Sequence, residues 1–399
     1  MSKVAIVKVE KENVEEAVRK AVDLLGGLKK FISNAQQILL KPNLLSAPKD
    51  EEEKARVRTD PRVVKALTTM LLEQEKKVLI GDNSGAGITG GTRLALKKSG
   101  YLEIQELSEN VKVHSLEIHG PQVIQINGKK LKQANISNDF LEAEAVINIP
   151  KMKTHGLTLY TGAIKNLYGT ICGADKTRIH AVGGDINGFS QCLVDLYAYE
   201  KSKIRLNVMD AIIAAEGMGP GVSSKPVKMN LILASDDAVA LDAVAFTLMG
   251  HDPKMVPTTK LAAEQGLGIM DLSEIELLGE PIEKLKRKFK LPPTKSVMRL
   301  PFAKLSKIII KVPKYVSGCI GCRNCENGCP KEVITIKKNR HGEPYPSIDY
   351  SGCISCFTCI EVCPEACYET KSKYLPRIIG ISIGVLAIIG IILALVFLL

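Results

Sequence analysis

Cys319-Ile-Gly-Cys322-Arg-Asn-Cys325-Glu-Asn-Gly-Cys329-Pro330 and Cys353-Ile-Ser-Cys356-Phe-Thr-Cys359-Ile-Glu-Val-Cys363-Pro364 are two copies of one pattern, offset by 34 residues. The pattern is C-x2-C-x2-C-x3-C-P, the run that wraps a cubane iron–sulfur cluster. Two-residue gaps let one loop present three thiolates to three irons of a single cube. The fourth thiolate then comes from elsewhere, and where two such runs occur it comes from the other run. This assigns Cys319, Cys322, Cys325 and Cys363 to one cluster, and Cys353, Cys356, Cys359 and Cys329 to the other. Zinc also uses C-x2-C pairs, but four ligands per site leave a third C-x2 step and a repeated Cys-Pro unexplained. The expectation is two [4Fe-4S] clusters that carry electrons.

Working outward, eight of eleven cysteines fall in these runs, which argues for metal rather than disulfides and for a reducing compartment. A chain of 399 residues has room for more than one domain. Its first ten residues contain no long apolar stretch, so no secretory signal is expected there. At the other end, residues 378–399 form an uncharged apolar run long enough to span a bilayer. Lys371, Lys373 and Arg377 precede it, which predicts a single-pass C-terminal anchor with the bulk of the protein cytoplasmic. A buried core helix fits less well, because the run has no polar face. Gly380 and Gly384 form one G-x-x-x-G, a weak dimerisation signal.

The charge is concentrated. Between Lys284 and Lys314 stand eleven basic residues and no acid; without them the 54 basic residues fall to 43, equal to the 43 acids. The whole formal charge of +11 therefore lies in one segment. Beside an anchor it suits anionic lipid headgroups, at about 1 kcal/mol per basic residue. Nucleic acid is not the expected partner, since no aromatic stacking platform interleaves the charges. A solvated linker with no partner is the plain alternative.

The first 280 residues alternate strand-like and helix-like stretches, which predicts an α/β domain with a mostly parallel sheet. Strands are expected at 4–9, 38–40, 78–80, 145–149, 206–209 and 231–234, with helices over 14–25 and from Thr59-Asp60-Pro61. A basic linker (281–314), a small α+β two-cluster domain (315–372) and a transmembrane helix (378–399) complete the expected order. Asn339, Gly342 and Pro344 mark a hairpin between the cluster halves.

In open α/β sheets, ligands bind beyond the carboxyl ends of the strands. Those ends carry Lys41, Asp82, Lys151, Lys153, His155, Asp210 and Asp236. If the chain stays extended past Ile149, Lys151, Lys153 and His155 share one side. Lys165, Lys176, Arg178 and His180 follow, enough positive charge for a small anion such as phosphate or carboxylate. Lys165, His155 and His180 are the candidate catalytic groups; Lys41, Lys151, Lys153, Lys176 and Arg178 are the candidate anion site. Asp210, Glu216 and Asp242 offer carboxylates as bases or metal ligands. The competing reading is that strand-end polar groups cap helices and that the lysines are solvated. Gly85-Ala86-Gly87-Ile88-Thr89-Gly90 has dinucleotide-loop spacing, with Glu106 near the ribose-acid distance, but that fingerprint normally follows the first strand of its unit, so a plain flexible loop is the favoured reading. Cys172 is either a reactive thiol or a buried one, and Cys192 and Cys367 read as packing.

Lys41-Pro42-Asn43, Asn148-Ile149-Pro150-Lys151-Met152-Lys153-Thr154-His155, Thr161-Gly162-Ala163-Ile164-Lys165-Asn166-Leu167-Tyr168-Gly169 and Glu216-Gly217-Met218-Gly219-Pro220 resemble a family catalogued as domain of unknown function 362. That family is often fused to a two-cluster ferredoxin. The C-terminal part resembles bacterial-type two-cluster ferredoxins, and all eight ligand positions match. The resemblance implies an iron–sulfur protein of unassigned reaction and brings no catalytic residues with it. The leading expectation is a membrane-anchored iron–sulfur oxidoreductase or subunit, exchanging electrons with a redox partner protein and an anionic-ligand site in the α/β domain. The alternative is a non-enzymatic electron-transfer module that docks a membrane or cytosolic partner.

Overall fold

The structure, a computed structural model, describes residues 1–46, 50–84, 91–173, 175–219, 224–292, 311–329, 331–353, 358–361, 363, 365 and 367–372. The apolar run 378–399, the glycine loop 85–90, Pro220 and Cys356 lie outside the described residues.

Among the described residues, twelve strands belong to the large domain: β1 (Ser2–Lys8), β2 (Gln37–Pro42), β3 (Lys77–Asp82), β4 (Val111–Ser115), β5 (Pro121–Gln125), β6 (Gln133–Ser137), β7 (Ala145–Ile149), β8 (Lys151–His155), β9 (Leu159–Thr161), β10 (Ile204–Gly217), β11 (Ser224–Ser235) and β12 (Ile275–Gly279). Ten form one sheet in the order β12-β1-β11-β10-β7-β2-β3-β4, with β8 and β9 joined at the side of β10; β5 and β6 pair separately. The run β10-β7-β2-β3-β4 is parallel throughout, as is β1 with β12. The antiparallel insert is β11, which pairs with both β1 and β10.

Period-two alternation splits the core between the two faces. Ile38 and Leu40 of β2, Ile147 of β7 and Ile232 of β11 pack on one side with helices Val14–Leu24 and Pro61–Leu72. Leu39, Val146 and Leu233 point to the other, against helices Ile186–Glu200 and Ala238–Leu248. Helix 14–24 buries Val14, Ala17, Val18, Ala21 and Val22, the stripe that a 3.6-residue period requires, and Asn13 caps it by accepting from Glu16 N. Helix 61–72 begins as its sequence foretells, with Pro61 at the first turn and Asp60 accepting from Arg62 N.

The expected strands at 206–209 and 231–234 prove to be parts of longer strands. β10 and β11 continue as an antiparallel hairpin, from Asn207 opposite Ser235 to Gly217 opposite Ser224. Residues 211–215 of β10 are still largely buried, and polar residues such as Glu216, Lys225 and Lys228 stand only toward the far end of the pair.

The described cysteine region is a small α+β unit. β13 (Lys311–Tyr315) pairs antiparallel with β16 (Tyr368–Ser372), and β14 (Ile334–Lys338) forms a hairpin with β15 (Pro344–Ile348). The hairpin turn uses Gly342 at φ +79° and Asn339, whose Oδ1 accepts from the backbone of His341 and Glu343. Cys325 and Cys359, the third cysteines of their runs, sit in short helices Asn324–Asn327 and Thr358–Glu361, as an internal repeat demands.

The basic linker expected over 281–314 is shorter at both ends. Phe289 is buried, its N–H bonds to Met249 O, and Lys290 O accepts from Gly217 N, so the large domain continues past residue 280. At the far end Lys311 and Lys314 belong to β13, where Lys314 pairs with Glu369 at 2.7 Å. Among the described residues no helix is long and apolar enough to cross a membrane.

Candidate functional site

In the small domain, Cys319, Cys322, Cys325 and Cys363 line one cavity, together with Ile336, Pro346, Cys367 and Tyr368. Three come from the first run and the fourth from the second. The first loop turns at Gly321, whose φ of +72° suits a residue without a Cβ. Its N–H points back to Cys319 Sγ at 3.4 Å, and Cys367 N–H points to Cys363 Sγ at 3.4 Å. Such N–H···S contacts stabilise thiolates and tune cluster potential. Burial pushes the Cys325 thiol upward, and after an opposing hydrogen bond from Tyr368 the nearby Cys363, Cys322 and Cys319 push it further. That many sulfurs share a pocket as anions only when a cationic core balances them.

Four cysteines drawn from both runs around one cavity are a donor set that fits an iron–sulfur cluster. Cys367 lines the same cavity, and burial first and Cys363 next push its thiol up to about 12.

In the large domain, the strand ends gather the expected cations and consume them. Lys41 Nζ, at the end of β2, is 2.7 Å from Asp82 Oδ1 at the end of β3, and Asp82 Oδ2 accepts from Leu44 N at 2.8 Å. Lys151 Nζ is 2.7 Å from Asp210 Oδ2, which also accepts from Asp60 N. Lys153 Nζ donates to Asn43 Oδ1 at 2.6 Å and Val57 O at 2.8 Å. Lys176 Nζ donates to the carbonyls of Asn83 and Ser84, and burial lowers its ammonium to about 8. All four lysines are buried. Arg178 is the outlying member: its guanidinium pairs with Asp175 and donates to Gln133 O at 2.7 Å. The anion site read from the strand ends therefore corresponds to a set of internally matched cations, because an unpaired buried ammonium is too costly to keep.

A chain of amides links these pairs. Asn43 donates to Asn166 Oδ1 at 3.0 Å, Asn166 to Asn148 Oδ1 at 2.8 Å, and Asn148 to Asn207 Oδ1 at 2.9 Å. Gly169 closes over it: a Cβ there would stand 1.9 Å from Asp82 Oδ1 and 2.5 Å from Lys41 Nζ. The segment 161–169, which carries the short helix Ala163–Asn166, thus covers buried charge.

The three catalytic candidates do not form one constellation. Lys165 Nζ lies 5.8 Å from the Tyr168 ring centre and 5.9 Å from that of Phe189. His180 stacks on Phe189 at 4.0 Å and meets Tyr168 edge-on, so Lys165 and His180 share one pair of rings. His155 lies in the β8–β9 hairpin, fully buried, with Nδ1 accepting from Leu157 N and Thr158 N. The carboxylates are also engaged. Asp210 accepts from Ile212 N, Glu216 from Lys290 N, and Asp242 from Ala163 N and Ile164 N. Cys172 is buried and its thiol is raised to about 11 by that burial, which makes it structural; Cys192, raised to about 12, is core.

Sequence reasoning missed Glu200, the last residue of helix 186–200. It is buried, accepts from Thr170 Oγ1, and its Oε2 has no hydrogen-bond partner. Burial raises it to about 8, opposed by Thr170 and Lys41. Burial likewise raises Asp242 to about 7. A carboxyl whose folded pKa is raised adds stability in full only below its unfolded pKa, and that contribution fades as pH rises through the folded value. Glu200→Gln is therefore expected to change little near pH 4.5 and to stabilise the protein by about 2–4 kcal/mol near pH 8. Thermal unfolding of both proteins across pH 4.5–8 checks the sign. The loss of Lys176 charge above about 8 opposes the trend only beyond that window.

Comparison with known proteins agrees with this division. The family model described as a domain of unknown function (DUF362) matches residues 38–247, and a 4Fe-4S dicluster domain matches residues 318–367. A thylakoid-associated protein, sll1697 of Synechocystis sp., is 31% identical over 280 residues, covering 69% of this chain and 82% of that protein. The chain belongs to the DUF362 family and carries a 4Fe-4S dicluster domain at its C-terminal side. Among solved structures, the lactate racemase apoprotein of Thermoanaerobacterium thermosaccharolyticum aligns with a TM-score of 0.42 at 13% identity over 62% of this chain. A Thermotoga maritima protein aligns with a TM-score of 0.36 at 14% identity over 63%. This chain spans 57% and 59% of those two chains, respectively.

Proposed function

We propose that this protein is a membrane-associated one-electron carrier in which the DUF362 domain is the rigid partner-recognition body. Cys319, Cys322, Cys325 and Cys363 would hold one [4Fe-4S] cluster; Cys353, Cys356, Cys359 and Cys329 would hold the second. The observation that carries this reading is the cavity shared by three cysteines of the first run and Cys363 of the second. Bound there, such clusters accept and release single electrons at potentials anywhere in roughly −700 to +450 mV. The chain's part is to supply thiolates, to donate the Gly321 and Cys367 N–H groups to sulfur, and to keep water out with Ile336, Pro346 and Tyr368.

The carrier reading is favoured over an oxidoreductase with an anion site, because Lys41, Lys151, Lys153 and Lys176 already have partners inside the protein. Membrane association rests on the uncharged run 378–399, on the four basic residues between 293 and 310, and on the thylakoid-associated relative. An anaerobic redox titration followed by electron paramagnetic resonance tests the proposal. Two reducible, magnetically coupled clusters that ignore phosphate and carboxylate ligands are expected. Zinc in place of iron, or no reducible cluster, would overturn it; potentials that shift with an anion would restore the oxidoreductase. In liposome flotation the full chain should rise with the vesicles and a chain ending at residue 377 should not.

A further inference from the structure

Outside the cysteine runs, at the edge strand β4, His114, His119 and Asp139 bring one ligand atom each within 4.8 Å of the others. His114 is in β4, His119 is in the turn that follows, and Asp139 is in the first turn of helix Asn138–Glu142. The turn is held in place: Asn138 N donates to Gly120 O and Asn138 Nδ2 to His119 O, both at 3.0 Å. His119 Nδ1 lies 2.8 Å from Asp139 Oδ1, and the two imidazoles meet edge-on at 5.2 Å.

A plain His–Asp hydrogen bond does not finish the account. Asp139 is 8% exposed, and its Oδ2 has no hydrogen-bond partner; His114 Nδ1 stands 3.8 Å from it. A buried carboxylate oxygen left bare costs about 1–3 kcal/mol, so a second cationic neighbour is the missing element. Two imidazoles and a carboxylate are a donor set for a divalent first-row transition ion, whereas magnesium and calcium prefer all-oxygen sites. The side chain of His119 is 62% exposed. The three groups also line a groove of ≈ 640 Å³ with Lys77, Lys112 and Asn110. Three protein ligands facing such a groove leave a coordination position for water or an exchangeable ligand.

We infer that His114, His119 and Asp139 form a binding site for a divalent transition-metal ion of the zinc type, open to the β2–β3–β4 groove and separate from the iron–sulfur cysteines. The test is zinc loading of the full, cluster-bearing chain under anaerobic conditions. The protein is equilibrated with ZnCl2 and gel-filtered, and zinc and iron are counted per chain by mass spectrometry. One zinc per chain is expected with iron unchanged, and binding should weaken on the order of 100-fold or more in His119→Gln and in Asp139→Asn. His119 is at the surface, so its variant reads binding without disturbing the core. No retained zinc in the unaltered chain would overturn the inference, and so would His119→Gln retaining zinc as tightly as its parent. Zinc taken up only as iron is lost would assign it to the cysteines, which also overturns the site.

Discussion

Replacing Cys363 by Ser is expected to remove the cluster whose other three ligands lie in the opposite cysteine run. Iron should fall from about eight to about four per chain, and the spin coupling between clusters should vanish. The reason is geometric: Cys363 reaches the cavity of Cys319, Cys322 and Cys325 from the second half of the repeat. A serine hydroxyl at that place does not supply a thiolate. Pairs of substitutions make the crossing explicit. Cys319→Ser with Cys363→Ser should cost no more iron than either change alone, because both strike one cluster. Cys353→Ser with Cys363→Ser should leave almost none. The reverse pattern would mean that each run closes on itself, contrary to the shared cavity.

The second large effect is at Asp210. Asp210→Ala strips Lys151 of its partner at 2.7 Å and leaves Asp60 N and Ile212 N without their acceptor. Lys151 is 1% exposed, so its ammonium has no path to water. Removing one member of such a pair is expected to cost about 3–5 kcal/mol, read as a lower denaturation midpoint with unchanged slope. Lys151→Met combined with Asp210→Leu removes both charges and should recover a large share of that loss, because the pair's desolvation cost disappears with it. A double variant as unstable as Asp210→Ala would mean that the lost backbone acceptors, not the stranded charge, dominate. Reading cluster content in parallel separates damage to the large domain from damage to the small one.

Much of this was legible in the chain. The cysteine spacings, Gly342 with Asn339 in the hairpin, Pro61 after Asp60, and the apolar runs at 38–40, 78–80 and 145–149 all act over a few residues, and spacing reports local geometry directly. The full lengths of β10 and β11 were not legible, since Asp210 interrupts the apolar run of β10 and polar residues such as Lys225 and Lys228 interrupt that of β11. His114 and His119 stand five residues apart in the chain, but Asp139 joins them only through the turn pinned by Asn138.

The sharpest divergence concerns the lysines. Sequence alone determined that Lys41, Lys151, Lys153 and Lys176 cluster near strand ends, and it determined the two cysteine repeats and the α/β alternation. Whether those cations face a ligand or face inward depends on Asp82, Asp210 and Asn43, which are distant in the chain and adjacent only once β10, β7, β2 and β3 stand side by side. Those partners meet only in the tertiary structure, where Cys363 likewise lines the cavity of Cys319, Cys322 and Cys325. Charge pairing and cluster closure are contacts at long range in sequence, fixed by which strands are neighbours and not by the residues beside them.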